Sequence, residues 1–245
     1  MKATTDRLPG MKFPDAQTFI VGGCRHSEFA RNFTNAMETG NILIYNINMS
    51  NIVQKQPAQV VMKEDLPNLL QVASLTRHPN RNRVIVLLSH HAGLRACEIA
   101  GLDYQMIVGP TGRMKGTIEL GSGITKGGRY RVIPVSDSLK KALKKLHAQE
   151  DKPKTGPVIR SERGGAMTPH SVVNWFKKIY ASAGMEGCTS HSGRRSFITQ
   201  AARKLAKVNG SLRDVQELAG HRSLSTTERY IQGDRAIQRK LVNLL

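Results

Sequence analysis

The chain has 245 residues, enough to bury a sizeable core in one large or two small domains. Its 37 Lys+Arg against 18 Asp+Glu leave a formal charge of +19, and its three cysteines (Cys24, Cys97, Cys188) lie far apart with no Cys-x-x-Cys pair. These numbers argue against a disulfide framework, a zinc finger and, with no apolar run near about 18 residues and no apolar signal core, a membrane protein. A soluble, cytoplasmic protein is expected. A chain this basic is expected to bind a polyanion, because each neutralised phosphate releases condensed counterions.

The charge is unevenly placed. Residues 1–59 hold six basic and four acidic residues, a net of +2, so residues 60–245 carry 31 minus 14, or +17. The first segment is rich in Gly and Asn and weak in helical periodicity, with only Asn41–Asn48 strand-like and a connector around Pro57. The division predicted is therefore an appendage over 1–59 and the main domain over 60–245.

From Val60 the pattern is regular. Glu64–Ser74 predicts one helix, Asn82–His91 a buried helix ending near Gly93, and Arg95–Leu102 a short one. In the third, Ile99 and Leu102 fall on a different face from Arg95 and Glu98. Thr117–Leu120 and Tyr130–Val135 predict two antiparallel strands joined through the Gly127-Gly128 turn. The remainder is mostly helical. Ser136 or Asp137 starts a Lys-rich helix to about Gln149, and Thr168-Pro169 caps one ending near Gly184. His191–Leu205 is another, Ser211 caps one that stops at Gly220, Ser225 caps the helix carrying Tyr230, and Asp234–Leu245 is an apolar-striped C-terminal segment. The fold class expected is α+β, mainly helical, with a small antiparallel sheet.

Two motifs carry chemistry. His191 and Arg194, at i and i+3 near a helix start, share one face and combine a proton shuttle with a fork-shaped donor. Downstream, Gly220-His221-Arg222-Ser223 and a hydroxyl run lead to Tyr230, bringing an imidazole and a phenol together across a short loop. A tyrosine is a poor nucleophile at neutral pH, with roughly one in a thousand ionised at a pKa of about 10. A site that uses one must surround it and its target with cations and hydrogen-bond donors. Arg95, Lys126, His191, Arg194 and His221 are the candidates.

These motifs resemble the catalytic domain of the tyrosine recombinases, or phage integrase family. Gly93-Leu94-Arg95-Ala96-Cys97-Glu98-Ile99 is similar to the family's first arginine motif, and Thr125-Lys126-Gly127-Gly128 to its β-hairpin lysine. His191-Ser192-Gly193-Arg194 is similar to its His-x-x-Arg box, and Gly220-His221 with Tyr230 to its closing motif. Two departures stand out. Ala219 replaces a common Leu, and Gly193 stands where an apolar residue is frequent, which weakens the helix by up to about 1 kcal/mol. Members also carry a helical core-binding domain ahead of the catalytic one, for which residues 1–59 are too few and too poorly helical.

The resemblance implies a site-specific recombinase acting on double-stranded DNA, with Tyr230 as nucleophile and a 3′-phosphotyrosine intermediate. Arg95 and Arg194 bind the phosphate, Lys126 is general acid, His191 a base, His221 a further donor, and Glu98 orients its neighbours. No metal, nucleotide or other cofactor is expected. Arg129, Arg131, Arg195 and Arg222 are expected DNA contacts. The protein is expected to be monomeric or dimeric when free and tetrameric on paired sites. A type IB topoisomerase, which shares this chemistry, and a non-catalytic DNA-binding regulator remain open alternatives.

Overall fold

A computed structural model describes residues 58–125 and 127–230, together with Arg239, Val242 and Asn243. These belong to a compact unit, Gln56–Leu245. Lys126, Cys24, the strand expected at Asn41–Asn48 and all but three positions of Asp234–Leu245 lie outside the described residues.

Along the unit run α1 (Leu66–Ser74), α2 (Pro79–His91), α3 (Ala96–Ala100), β1 (Thr117–Leu120), β2 (Arg131–Pro134) and α4 (Asp137–Gln149). They are followed by α5 (Pro169–Ser182), α6 (Ser192–Lys204), α7 (Leu212–Ala219) and α8 (Leu224–Glu228). The helix expected over Glu64–Ser74 divides into a 3₁₀ turn, Lys63–Asp65, and α1, whose second residue is Pro67. Pro79 opens α2 at the position where a missing N–H costs nothing.

Helix α2 is the axis of the core. Every residue from Val84 to His90 is buried, so it has no solvent face, and α1, α4 and α6 pack around it. Helix α4 is amphipathic instead. Leu139, Ala142, Leu143 and Leu146 are buried at helical spacing, which leaves its lysines on the outer face. Thr168 caps α5 as expected, its Oγ1 accepting the Ser171 N–H at 3.1 Å.

The two strands pair antiparallel, Thr117 opposite Pro134 and Leu120 opposite Arg131. Period-2 alternation turns Ile118, Leu120, Arg131 and Ile133 inward and leaves Val132 and Pro134 exposed. Among the described residues no helix is long and apolar enough to cross a membrane.

One sequence expectation is corrected by packing. Gly193 lies buried where α6 crosses α2, and a Cβ there would stand 2.7 and 2.8 Å from His90 Cδ2 and Nε2 and closer still to Ser89 Oγ. The glycine is the condition for this helix approach, which outweighs its lower helix propensity. Gly193→Ala should therefore destabilise the protein by about 1–3 kcal/mol through overpacking, although alanine is the better helix former by up to about 1 kcal/mol. Urea unfolding measures the difference. Ser89→Ala in the same background should recover part of the loss, because Ser89 Oγ is buried without a hydrogen-bond partner among the described residues.

Candidate active site

Helix α2 ends at His91, and Gly93 takes a left-handed φ of 62° that turns the chain so that Arg95 becomes the N-cap of α3. Glu98, three residues on and fully buried, reaches back. Its Oε2 accepts the Arg95 backbone N–H at 2.8 Å and its Oε1 accepts Arg95 Nη1 at 2.8 Å. Oε2 also accepts Arg131 Nη2 from β2, again at 2.8 Å.

Helix α7 ends at Gly220, which is left-handed with φ 62°. The last helical carbonyl, Ala219 O, would be an orphan, but it accepts Arg131 Nη1 and Arg194 Nη2, both at 2.6 Å. The remaining fork of Arg194 donates to Gly93 O at 2.6 Å. Arg95, Arg131 and Arg194 thus converge around one carboxylate and two backbone carbonyls. Burial first, then repulsion from Arg95 and Arg131, pulls Arg194 down to about 10, against the opposing pull of Glu98 and Tyr230. It stays charged at neutral pH.

His221 follows Gly220 and is buried against this cluster, its Nδ1 2.9 Å from Thr227 Oγ1. Burial, then the charges of Arg194, Arg95 and Arg131, lowers its pKa to about 4. The ring is therefore neutral at pH 7, hydrogen-bonded through Nδ1 to the Thr227 hydroxyl. Its face lies over Tyr230, centroids 5.3 Å apart at 24°. The Arg195 guanidinium covers that ring at 5.8 Å.

Tyr230 stands beyond the helix expected to carry it. Ser223, not Ser225, is the N-cap, α8 ends at Glu228, and Tyr230 occupies the following turn with its N–H donating to Thr227 O at 3.0 Å. His191 is the exposed N-cap residue of α6, one turn before Arg194, with its carbonyl accepting the Arg195 N–H at 2.9 Å. Lys126 falls outside the described residues. Its neighbours Gly127 and Gly128 have φ of 87° and 66° in the hairpin turn.

An open cleft of about 820 Å³ lies between the hairpin and α7, with Arg95, Arg131 and His221 along it and Arg129 and Arg222 exposed at its edges. Residues 59–236, more than half of the chain, match the profile described as the phage integrase family. The chain belongs to the phage integrase family.

Relatives agree. The tyrosine recombinase XerC of Rhizobium meliloti (strain 1021) is 30% identical over 187 residues, covering 74% of this chain and 55% of that protein. XerC of Brucella suis biovar 1 (strain 1330) is 32% identical over 153 residues, covering 61% and 45%. The chain spans about half the length of the curated relatives it matches. In fold it resembles the crystal structure of XerA recombinase, with a TM-score of 0.60 at 21% identity over 77% of this chain and 66% of that one. It also resembles XerH site-specific recombinase bound to difH substrate in a pre-cleavage complex, with a TM-score of 0.59 at 23% identity over 78% and 55%.

Within this family frame, the structure brings Arg95, Arg194, His221 and Tyr230 together. It moves Arg131, expected as a DNA contact, into the interior, where its side chain is 8% exposed and its guanidinium is turned to Glu98 and Ala219. Thr227, fully buried beside His221, escaped notice in the sequence. Its place three residues before Tyr230, in a hydroxyl run, was the signal.

His221 generates a pH dependence whose sign follows from its lowered pKa. Below about 6.5 the unfolded chain takes up a proton that the folded ring refuses until about 4, so stability falls as pH drops through that window. His90, lowered to about 3 mainly by burial, adds in the same direction. Urea midpoints should fall from pH 6.5 to 4, and His221→Gln should flatten the slope.

Proposed function

We propose that this domain is a site-specific recombinase that cuts and rejoins DNA strands through a covalent tyrosyl intermediate. Tyr230 Oη attacks the phosphorus of a DNA phosphodiester while the bond to the 5′-oxygen breaks, leaving a 3′-phosphotyrosine and a free 5′-hydroxyl. His191 takes the phenolic proton and Lys126 protonates the departing oxygen. Arg95 and Arg194 face the non-bridging oxygens, where charge builds in the transition state, and His221 adds a further donor. The phosphotyrosine retains the bond energy, so religation requires no nucleotide, and the cations carry the charge stabilisation without a metal.

The observation that carries this reading is the imbalance of the cluster. Three guanidiniums lie around a single carboxylate, which pairs with Arg95 and Arg131 while Gly93 O and Ala219 O hold Arg194, beside an imidazole that is neutral and stacked on the tyrosine ring. Such a seat is complementary to an anion. The family membership, and the DNA-bound complexes among its structural neighbours, support double-stranded DNA as that anion. Arg129 and Arg222, exposed along the cleft, supply contacts to the backbone, and four protomers assemble on two paired sites because two duplexes each need two cleavages.

Covalent trapping on a nicked suicide duplex tests the nucleophile. Tyr230→Phe should abolish the adduct while DNA affinity stays within about twofold, since Lys and Arg dominate the contact. Tyr180 offers no substitute, being buried in the core and 3.1 Å from His90 Nε2. An adduct that survives the substitution refutes the assignment.

The proton donor has its own test. Lys126→Ala should slow cleavage of a normal phosphodiester, and a substrate with sulfur at the 5′-bridging position should restore the rate. Sulfur leaves without protonation. No rescue by sulfur removes Lys126 from the general-acid role.

A further inference from the structure

We propose that Arg131 is a positioning residue, tying Arg95 and Arg194, the two arginines assigned to the phosphate, to strand β2 through the acceptors it shares with them. The inference rests on the strand-cleavage reading above. Arg131 lies on β2, opposite Leu120 of β1, with its side chain turned inward.

Its seat is specific at both ends. Nη2 donates to Glu98 Oε2 at 2.8 Å, the same oxygen that takes the Arg95 N–H, and Nη1 donates to Ala219 O at 2.6 Å, the same carbonyl that takes Arg194 Nη2. Each acceptor is therefore shared between Arg131 and one of the arginines that face the phosphate. Gly220 completes the seat. A Cβ there would stand 2.9 Å from Arg131 Cδ and nearer still to Nη1, and its φ of 62° already disfavours any side chain. Burying this cation carries a cost, and Nε has no hydrogen-bond partner among the described residues.

The charge arithmetic gives the arrangement a purpose. Glu98 offers one oxygen to Arg95 Nη1 and the other to Arg131. Without Arg131 the whole carboxylate charge would face Arg95 and weaken its pull on a phosphate. With Arg131 in place the cluster keeps a net excess of two positive charges, and Ala219 O holds Arg194 at a fixed angle. Like Arg194, Arg131 spends both terminal nitrogens on protein acceptors; what sets it apart is that each acceptor is shared with one of the two other arginines, and its effect on the reaction runs through them.

The test compares wild type, Arg131→Met and Arg131→Lys as full chains. Two nicked suicide duplexes carry the junction sequences flanking the gene, one with a normal scissile phosphodiester and one with a methylphosphonate there. The methylphosphonate lacks one non-bridging charge, so its cleavage depends less on aligned guanidiniums. Arg131→Met should slow adduct formation on the phosphodiester about 100-fold, the scale of a misaligned catalytic group, with DNA affinity by anisotropy within about threefold. The ratio of methylphosphonate to phosphodiester cleavage should rise by about tenfold or more. Arg131→Lys should fall between, because one ammonium cannot span both acceptors. If the methionine variant does not fold, the same ratio is read on Arg131→Lys. Wild-type rates, or equal loss on both substrates with a lowered melting temperature, would overturn the positioning role. A wild-type protein that forms no adduct on either duplex overturns the strand-cleavage reading itself, a separate and recognisable outcome.

Discussion

The structure around the cleft depends on two acceptors that are each used more than once. The Glu98 carboxylate ties Arg95 to Arg131, and the Ala219 carbonyl ties Arg131 to Arg194. A helix C-terminus leaves carbonyls without intrahelical partners and carries partial negative charge. Helix α7 meets that requirement at Ala219 with two guanidiniums. Breaking a buried pair of this kind by removing one partner typically costs about 3–5 kcal/mol, because an uncompensated charge is left behind. Glu98, with three donors converging on it, is the position where that penalty applies most directly.

The core explains how such distant parts of the chain meet. From Val84 to His90 helix α2 is enclosed on all sides, so its end at His91 is fixed, and Gly93 then turns the backbone to set Arg95 at the start of α3. Helix α6 reaches the same place because Gly193 lets it lie directly against Ser89 and His90. Arg194, the next residue, can then donate to Gly93 O at 2.6 Å. A close approach between two helices thereby becomes a bond between two halves of the site, and glycines at 93, 193 and 220 are what permit it.

Much of this was readable from residue pattern alone. Capping residues and stop glycines located the helices to within a few positions, because those signals are local. The approach of His221 to Tyr230 follows from the short loop between them, and the need of a tyrosine nucleophile for cations names Arg95 and Arg194 as its partners; their order and spacing match the family motifs. What escaped was non-local. Gly193 read as a weakness, since helix propensity knows nothing of Ser89, a hundred residues earlier. Arg131 read as a surface contact because Val132 and Ile133 are both apolar, which hides the inward face of a four-residue strand. Tyr230 was assigned to a helix that ends at Glu228, with the β-branched Thr226 and Thr227 making up two of its five residues. Lys126 and the apolar stripe of Asp234–Leu245 lie outside the described residues.

The neutrality of His221 belongs to the same electrostatic scheme. An imidazole exposed to water would be partly protonated near pH 6.5, but three guanidiniums and burial keep this one neutral to about 4. As a neutral ring it can lie against the tyrosine and share a hydrogen bond with Thr227 without adding a fourth positive charge to the cluster. The positive charge of the cluster is therefore held by Arg95, Arg131 and Arg194 with Glu98 set against it, and because Ala219 O and Gly93 O already fix Arg131 and Arg194, no reorganisation of these two is needed to present that charge to an anion.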